Sequence, residues 1–387
     1  MKILLVGNYL PDEQESMQRF AELMERELAL RGHKVRLLRP APRLNRSGSA
    51  PLGIAKWLGY LDKLILFPLL LKRVARRFDV VHICDHSNSF YLPSIQNKPH
   101  VITCHDVIAI RSALELESNS STGWSGKALQ KMILGGLNQA ATVACVSMNT
   151  RRELLEVSKL KPHSAVVIYQ GINYPYSPMP HQEAMATLSS LGKERAIENL
   201  DSTPFIFHVG GNQWYKNRLG VLRIYQELRT LPKGSILPRL IMAGKPFDEE
   251  MRKFVNQHHL TEWVVEIPNC SNEQLRAFYS SARVMLFPSL AEGFGWPVIE
   301  AQACGCPVLT SNFAPLTEIG GEAAIFCDPK DEREVARQLD ALLSESEKDR
   351  DARVHGGLSN AKRFSPQKMI DSYLELYRTA MTGRSAA

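Results

Sequence analysis

Short apolar, strand-like runs alternate with helix-like segments along most of this chain, and this alternation constrains the fold more than any other feature. Such an alternation is typical of a parallel sheet covered by helices on both faces. It comes in two series of six runs each. The first series comprises Lys2–Val6, Val35–Leu38, Val80–Ile83, Val101–Thr103, Thr142–Val146 and Ala165–Ile168. The second comprises Phe205–Val209, Arg239–Met242, Val264–Glu266, Val284–Phe287, Val308–Thr310 and Ala324–Phe326.

A proline-dense stretch separates the two series. Tyr174-Pro-Tyr-Ser-Pro-Met-Pro180 can continue neither a helix nor a central strand. We therefore predict an α/β protein of two Rossmann-like domains, over residues 1–180 and 200–363, with a closing helix over 364–381 that packs on the first domain. Ligands of such sheets bind beyond the carboxyl ends of the strands, which for two facing domains means the cleft between them.

Composition narrows the class of protein. With 387 residues, 44% of them hydrophobic, the chain is long enough for two domains, and it contains no apolar run of transmembrane length. Seven mostly isolated cysteines indicate reduced thiols and a cytoplasmic protein, and no residue cluster has metal-ligand spacing. The net charge of +7 suits a phosphate-bearing substrate or an anionic membrane, whereas the absence of a nucleic-acid-binding motif argues against nucleic acid.

Residues 57–78 read WLGYLDKLILFPLLLKRVARRF, an apolar segment that runs into four basic residues. One interpretation is a helix lying on an anionic membrane surface, which would make the protein peripheral on the inner face of the membrane. The other is an ordinary crossover helix, broken near Pro68, whose basic end faces solvent. The sequence favours the crossover helix and leaves the membrane surface open.

The stretch SLAEGFGWPVIEAQACGCPVLTS, residues 289–311, is the strongest candidate for a ligand site. Pro297 suits the first position of a short helix, which places Glu300 in the first turn, near the positive end of the helix dipole. Glu292 lies in the preceding loop beside Gly293 and Gly295, where bare backbone N–H groups can approach a ligand. Two carboxylates next to an anion site suit a ligand with both hydroxyls and phosphates, such as a nucleotide sugar.

The loop after the first strand of the second series is a candidate for phosphate binding. It reads HVGGNQWYKNR from His208 to Arg218. Gly210 and Gly211 let backbone amides approach a phosphate, and Lys216 or Arg218 can neutralise its charge. The alternative for Lys216 is an ordinary solvated loop lysine.

The sequence EGFGWPVIEA followed by ACGCPVLTS resembles the E-x7-E signature of glycosyltransferase family 4, the retaining nucleotide-sugar glycosyltransferases of the GT-B fold. The resemblance covers most of the chain and is strongest over about 205–330. In that family the first glutamate contacts the donor sugar and the second hydrogen-bonds the ribose hydroxyls, which implies these roles for Glu292 and Glu300. The loop residues Gly293, Phe294 and Gly295 between them then belong to the donor site.

The resemblance implies roles for three further residues. His105, in a His-Asp dipeptide after a strand, matches the histidine that contacts the donor sugar, although a lone histidine is more often structural. Lys216 matches the lysine that stabilises the diphosphate. Gly211 stands where the family has an arginine, and Arg218 is a candidate replacement.

The first domain departs from the family on the acceptor side. Relatives have a glycine pair between the first strand and the first helix, whereas this chain retains only Gly7, followed by Asn8. These two residues are predicted to lie in the acceptor-side loop. The acceptor itself stays open.

Taken together, the resemblance implies a metal-independent hexosyltransferase without a cofactor. It would move a hexose, with mannose favoured, from a nucleotide diphosphate sugar to a hydroxyl of a glycan or lipid-linked acceptor in surface-polysaccharide biosynthesis. GDP-mannose and UDP-sugars are both compatible with the sequence. The alternatives are a non-catalytic nucleotide-sugar-binding protein of the same fold and an NAD-dependent Rossmann oxidoreductase, although the G-x-G-x-x-G of such oxidoreductases does not follow the first strand.

Overall fold

The computed structural model describes residues 1–44, 54–116, 122–231 and 237–382. The chain folds as two compact units. The first comprises Met1–Asn173 and Pro366–Ala387, and the second comprises Tyr174–Ser365.

The twelve strands of the described residues match the twelve predicted runs to within about two residues at each end. In the first unit they are β1 Lys2–Val6, β2 Lys34–Leu38, β3 Val80–Ile83, β4 His100–Cys104, β5 Val143–Cys145 and β6 Ala165–Val167. In the second they are β7 Phe205–Gly210, β8 Arg239–Gly244, β9 Val264–Pro268, β10 Val284–Phe287, β11 Val308–Ser311 and β12 Ile325–Cys327.

The helices connect these strands. The α-helices are α1 Glu15–Leu30, α2 Ile54–Leu61, α3 Phe67–Ala75, α4 Ile108–Ala113, α5 Trp124–Leu137, α6 Met148–Val157, α7 His181–Arg195, α8 Arg218–Thr230, α9 Glu249–Gln257, α10 Asn272–Ser281, α11 Trp296–Ala303, α12 Leu316–Gly320, α13 Glu332–Leu343, α14 Glu347–Ala361 and α15 Pro366–Thr382. Short 3-10 helices lie at Leu10–Asp12, His86–Ser94, Pro162–Ser164, Trp214–Lys216, Gly321–Ala323 and Lys362–Phe364, and a π-helical turn at Asp62–Leu66.

Both sheets are parallel throughout and have one reversal of strand order. The first runs β2-β1-β3-β4-β5-β6, and the second runs β12-β11-β10-β7-β8-β9. In the first sheet β2 and β3 flank β1, so the order reverses between β1 and β3. In the second sheet β8 and β10 flank β7, so the order reverses between β7 and β10. Ligands of open α/β sheets bind at such reversals, beyond the carboxyl ends of the strands.

The closing helix α15 belongs to the first unit, where buried polar contacts hold it on the sheet. The His82 ring on β3 is hydrogen-bonded through Nδ1 to the Tyr377 hydroxyl and through Nε2 to Thr103 Oγ1, both at 2.7 Å. The Tyr373 hydroxyl lies 2.7 Å from the same Thr103 oxygen. A helix at the end of the chain thereby becomes part of the core of the first unit.

The predicted domain boundaries at 180 and 200 are wrong, because the proline-dense stretch and α7 belong to the second unit. The Tyr174 hydroxyl donates to Glu273, and the Met179 N–H donates to Ser280 Oγ at 3.0 Å. Both acceptors lie on α10, and α7 packs against the same helix. These contacts move the start of the second unit to Tyr174.

The predicted break near Pro68 is also wrong. Helical structure runs without interruption from α2 through the π-helical turn into α3, with Pro68 at the second position of α3. The Phe67 N–H donates to Asp62 O, five residues back, and this wider turn accommodates the proline ring where a regular α-helix would clash with it. Among the described residues, no helix is both long and apolar enough to cross a membrane.

Candidate active site

In the second unit, the candidate site lies where the loops after β7 and β10 meet. The two strands are neighbours, so their loops leave the sheet side by side at the strand-order reversal. The Leu290 N–H donates to Tyr215 O at 2.7 Å, and Asn217 Nδ2 donates to Pro288 O at 2.9 Å. These bonds fix the two loops against each other.

Lys216 and Glu292 form an ion pair between these loops. Lys216 Nζ lies 2.7 and 3.0 Å from the two carboxylate oxygens of Glu292. The side chains are 19% and 7% exposed, so the pair is largely screened from water yet reachable from outside. The ammonium group also lies over the rings of Tyr215 and Phe287, 5.4 and 5.6 Å from their centroids, where the ring quadrupole attracts a cation. Lys216 is therefore not the solvated loop lysine that was its alternative.

Glycines keep the backbone bare around this pair. Gly210 and Gly244 end the neighbouring strands β7 and β8 in register, and Gly244 has a φ of +124°. A Cβ atom on Gly244 would lie 2.0 Å from Gly210 O, so no larger residue fits there. Gly295 precedes α11 with a φ of +102°, and a Cβ on it would lie 2.7 Å from Leu316 Cδ2. Gly244 is a site glycine that the sequence analysis missed, although its Ala-Gly-Lys context after a strand is a usable signal.

Glu300 lies deeper in α11 than predicted. Gly295 is the N-cap, so the helix begins at Trp296 and Glu300 is its fifth residue, beyond the first turn. The placement in the first turn is wrong because the helix starts one residue before Pro297. Glu300 is 5% exposed, and its carboxylate accepts a hydrogen bond from the buried Tyr279 hydroxyl at 3.0 Å. Burial, followed by the neighbouring Glu300 charge, raises the pKa of that tyrosine well above its usual value.

The buried Phe294 side chain packs against neighbouring aromatic rings. Its ring meets those of Phe364 and Trp296 edge-on, at centroid distances of 5.7 and 6.4 Å. These contacts anchor the loop that carries Gly293 and Gly295 and bury the phenyl ring, while the backbone of the two glycines carries no side chain.

Arg218 is held inside the unit at the start of α8. Its Nη1 donates to Lys245 O at 2.7 Å and also to Asn212, and the guanidinium stacks 5.2 Å from the centroid of Phe247. Burial lowers its pKa to about 10. Nε and Nη2 are buried and have no hydrogen-bond partner within the described ranges. Gly211 stands where the family has an arginine and contributes no side chain. Arg218 supplies a cation near this loop, but its guanidinium is buried below the loop surface.

His208 on β7 packs beneath the same loop. Its Nδ1–H donates to Leu286 O at 2.9 Å, and a Cβ on Gly210 would lie 3.3 Å from Nε2. Burial lowers the pKa of His208 to about 3, so the ring is neutral at physiological pH.

In the first unit, His105 follows β4 as predicted. It is 6% exposed, its Nε2–H donates to Cys84 O at 2.8 Å, and its ring meets Phe20 edge-on at 4.9 Å. Burial lowers its pKa, although the nearby Asp85 charge opposes that effect. The neutral ring therefore has its lone pair on Nδ1, which can accept a hydrogen bond. The adjacent Asp106 accepts the Ile108 N–H at 3.0 Å and so orders the local backbone.

The first unit also contains a polar cluster of which the sequence predicted only Asn8. At the reversal between β1 and β3, Asn8 Nδ2 donates to Asp85 at 2.6 Å and to Gln14 at 2.5 Å. His86 Nδ1 lies 3.2 Å from Asp85 Oδ1. Burial alone would lower the pKa of His86, but the hydrogen bond and charge of Asp85 outweigh it and raise that pKa. Asp85 and His86 lie two and three residues beyond β3, so the rule applied to His105, a polar residue directly after a strand, does not identify them.

Gly7, beside Asn8, is enclosed by its neighbours. A Cβ on it would lie 3.1 Å from both Arg39 Cγ and Leu37 Cδ1. This close approach explains why the residue after β1 is a glycine, without requiring a ligand.

Across the parts of the chain that the structure describes, no group of three or more His, Cys, Asp or Glu side chains could hold a metal ion.

The two units match two family models. Residues 192–356 match the family described as Glycosyl transferases group 1, and residues 17–174 match Glycosyltransferase Family 4. The O-antigen chain mannosyltransferase B of Escherichia coli is 26% identical over 295 residues, 76% of this chain and 73% of that protein. The GDP-mannose:cellobiosyl-diphosphopolyprenol alpha-mannosyltransferase of Xanthomonas oryzae pv. oryzae is 25% identical over 174 residues, 44% of this chain and 46% of that protein.

Among solved structures, Anabaena HepE in complex with UDP and glucose superposes with a TM-score of 0.73 at 15% identity, covering 98% of this chain and 100% of that chain. At an identity this low, the superposition shows only that the two proteins share a fold.

Proposed function

Because this chain belongs to glycosyltransferase family 4, the glycosyl transferases group 1, and has the GT-B fold, we propose that it transfers a hexose from a nucleotide diphosphate sugar with retention of configuration. The observation that carries the proposal is the Lys216–Glu292 pair at the strand-order reversal of the second unit. It puts a cation and a carboxylate beside bare backbone, and a sugar diphosphate needs both. Membership of this family argues against the alternative function of an NAD-dependent oxidoreductase.

In the proposed reaction the bond between the anomeric carbon and the diphosphate oxygen breaks, and its electron pair leaves with the diphosphate. The acceptor hydroxyl attacks the same face of the sugar, and its proton passes to a diphosphate oxygen. Lys216 and the N-terminal amides of α11 stabilise the charge that develops on the leaving group. Because the ion pair and the bonds between the loops hold these groups in place beforehand, little reorganisation is needed in the transition state.

The carboxylates hold the rest of the donor. Glu292 accepts hydrogen bonds from hydroxyls of the hexose while it orients Lys216. Glu300, oriented by Tyr279, accepts the ribose hydroxyls. His105 offers Nδ1 to a sugar hydroxyl as a neutral, positioning group. No cofactor or metal ion takes part in this scheme, because the diphosphate charge is met by Lys216 and backbone N–H groups.

Mannose is the proposed hexose and GDP-mannose the proposed donor. Two relatives support this choice, since one is an O-antigen chain mannosyltransferase and the other is a GDP-mannose-dependent mannosyltransferase. The proposed acceptor is a hydroxyl of a glycan or lipid-linked sugar in surface-polysaccharide synthesis. Such an acceptor places the protein on the cytoplasmic side of a membrane, peripherally attached.

Donor selection tests this proposal. We expect GDP to raise the melting temperature of the purified protein more than UDP at equal concentration, because a ligand that binds only the folded state stabilises it. The protein should release GDP from GDP-mannose slowly by hydrolysis without an acceptor and faster with a mannosylated lipid-linked acceptor, to which the mannose is transferred, and EDTA should change neither rate. Stabilisation by nucleotides without turnover of any nucleotide sugar would instead support a non-catalytic binder. Loss of turnover in EDTA would contradict metal independence.

A further inference from the structure

The helical run between β2 and β3 has one face in the core and one face in water. Phe67, Leu71 and Ala75 on α3 are at most 3% exposed and belong to the core of the first unit. This inner face accounts for the position of the helix on the sheet. It does not account for the apolar residues on the outside.

Five large aliphatic side chains on the outside of this run are exposed. Thirteen large hydrophobic side chains are exposed among the described residues, and these five fall within nine positions, so the surface is a cluster and not scatter. They are Leu61, Leu64, Ile65, Leu66 and Leu69, which are 41%, 39%, 53%, 38% and 67% exposed. Leu61, Ile65 and Leu69 repeat every four residues and so form a stripe along the helix. Contiguous apolar surface of this kind marks a site of interaction.

The same stripe continues into positive charge. Lys72, Arg73, Arg76 and Arg77 follow at the end of α3 and just beyond it, and all four side chains are exposed. None of them pairs with a carboxylate in the described part of the chain. Lys63, by contrast, lies earlier in the run and is bound to Asp12 at 3.0 Å. The four cations are therefore available to anions outside the protein.

We propose that this outer helix surface, Leu61 to Leu69 with Lys72 to Arg77, docks the protein on an anionic lipid bilayer. The aliphatic side chains enter the boundary between headgroups and acyl chains, and the basic side chains contact lipid phosphates. Charge complementarity selects this occupant, because a protein groove would cover the leucines but gives no reason for four unpaired cations beside them. Nucleic acid would meet the cations but not the leucines.

This surface specifies which residues would attach the protein to the membrane. The biological role of that attachment rests on the proposed function. Docking through the outer surface of α2 and α3 does not by itself insert the carboxyl end of any strand into the lipid. A lipid-linked acceptor, if the proposed function holds, would lie in the same bilayer as the docked protein.

Flotation on sucrose gradients tests the surface without measuring transfer. The full chain should rise with vesicles of phosphatidylcholine and phosphatidylglycerol in equimolar mixture, and not with phosphatidylcholine alone. Each basic residue near an anionic leaflet contributes a factor of about five, so Arg73→Ala/Arg76→Ala/Arg77→Ala should weaken partitioning roughly 100-fold. Ile65→Glu/Leu69→Glu should weaken it by about tenfold or more, since it puts charge where apolar contact is needed.

Matched controls separate the surface from general effects. Leu30→Glu changes an exposed leucine of α1, 75% exposed, and should leave flotation unchanged. Lys253→Ala/Lys330→Ala/Lys348→Ala removes the same number of exposed charges from the second unit and should also have no effect. Nucleotide-induced thermal stabilisation should be equal in all variants, which shows that they fold and keeps this test apart from the donor chemistry.

Three results would overturn the proposal. The wild type could fail to float with the anionic vesicles. The controls could lose flotation as much as the surface variants. Size-exclusion chromatography could show a dimer that Ile65→Glu/Leu69→Glu dissociates while no protein floats, which would assign the surface to a second copy of the chain.

Discussion

At the scale of single residues, the proposed function depends on an ion pair that is only partly exposed. Lys216 contacts both oxygens of Glu292, and the neighbouring rings of Tyr215 and Phe287 replace water around the ammonium group. Partial burial strengthens the field of Lys216 at a bound diphosphate. The same burial makes either partner costly to remove alone, since the other would remain as an unpaired charge.

Replacing Lys216 tests its role in stabilising the leaving group. Lys216→Ala should lower kcat by about 10²–10³-fold, which is typical for the loss of one preorganised donor in a transition state. Lys216→Arg should retain part of the activity because the charge remains. Initial rates at saturating donor measure the effect, with the exposed Lys253→Ala as the control. Turnover close to that of wild type would show that the lysine only holds Glu292.

Tyr279 is predicted to act through Glu300. Its hydroxyl donates a hydrogen bond to that carboxylate, so Tyr279→Phe should leave Glu300 less well oriented toward the ribose. The apparent KM for the donor should rise about tenfold with little change in kcat, since the ribose contact is equal in ground and transition states. A 2′-deoxy or 3′-deoxy nucleotide should distinguish this effect from general destabilisation, because wild type should discriminate against it more than Tyr279→Phe does. Equal discrimination would contradict the role.

The residue scale is where sequence patterns predicted least. The patterns located Glu292, Glu300 and Lys216, but not the pairing of Lys216 with Glu292, which depends on β7 and β10 being neighbours. Asp85 was missed because its partner Asn8 lies 77 positions away along the chain. Contacts of this kind become visible only when strand order is known.

At the scale of elements, glycines set the shape of the loops. Gly244 and Gly295 adopt φ values that L-residues rarely reach, and neither has room for a Cβ atom. Each lies where a strand or loop turns into the candidate site. The turn geometry therefore depends on the absence of a side chain at these two positions.

Gly295→Ala tests the turn before α11. A positive φ and the contact with Leu316 should together cost at least about 2 kcal/mol of unfolding free energy. Gly135→Ala in α5 is the matched change, since a Cβ there meets nothing within 4 Å and alanine is a better helix former, which should stabilise by about 0.5–1 kcal/mol. Urea unfolding of both variants measures the difference. Equal midpoints would refute the argument.

Elements themselves were largely predictable. Buried parallel strands are continuous apolar runs, and in this chain each such run is a strand. Local spacing was less reliable where a wide turn intervenes, as at Pro68, where a π-helical turn lets the helix continue. Such a turn depends on packing of the whole run against the sheet and leaves no mark in local propensity.

At the scale of the whole molecule, buried neutral histidines link stability to pH. Burial lowers the pKa of His82 and of His208 to about 3, and it lowers that of His105 as well. The unfolded chain binds protons at these sites near pH 6.5, whereas the folded protein does not. Stability is therefore fully present above pH 6.5 and is lost as the pH falls toward 3. His86, whose pKa is raised, acts in the opposite sense: its contribution is fully present below pH 6.5 and is lost as the pH rises through the raised pKa.

Acid should therefore destabilise both units before carboxylates titrate. His82 and His208 should each remove on the order of 1 kcal/mol of stability per pH unit as the pH falls from 6.5 toward 3. His208→Gln should reduce the slope of the second unit by about that amount. Urea midpoints between pH 7 and pH 5 measure it, because ordinary carboxylates are still ionised there. A flat profile over this range would contradict the protonation states assigned to the histidines.

The two-unit architecture was predictable because the proline-dense stretch interrupts two complete strand series. The boundary was not, because Tyr174 and Met179 bind α10, which is about 100 residues further along the chain. At this scale, the proposed function requires that the site in the second unit binds a sugar diphosphate and transfers its sugar.

Transfer of mannose from GDP-mannose to an acceptor by wild type and by Glu292→Gln, followed by GDP release and compared side by side, tests that claim most directly. We expect wild type to transfer mannose, and NMR should show an α-mannoside in the product, which is the anomeric configuration of the donor. Glu292→Gln should be slower by about 10²-fold or more, because it removes both the sugar-binding charge and the partner of Lys216. Equal turnover by the two proteins, or none by wild type with any nucleotide sugar, would contradict it.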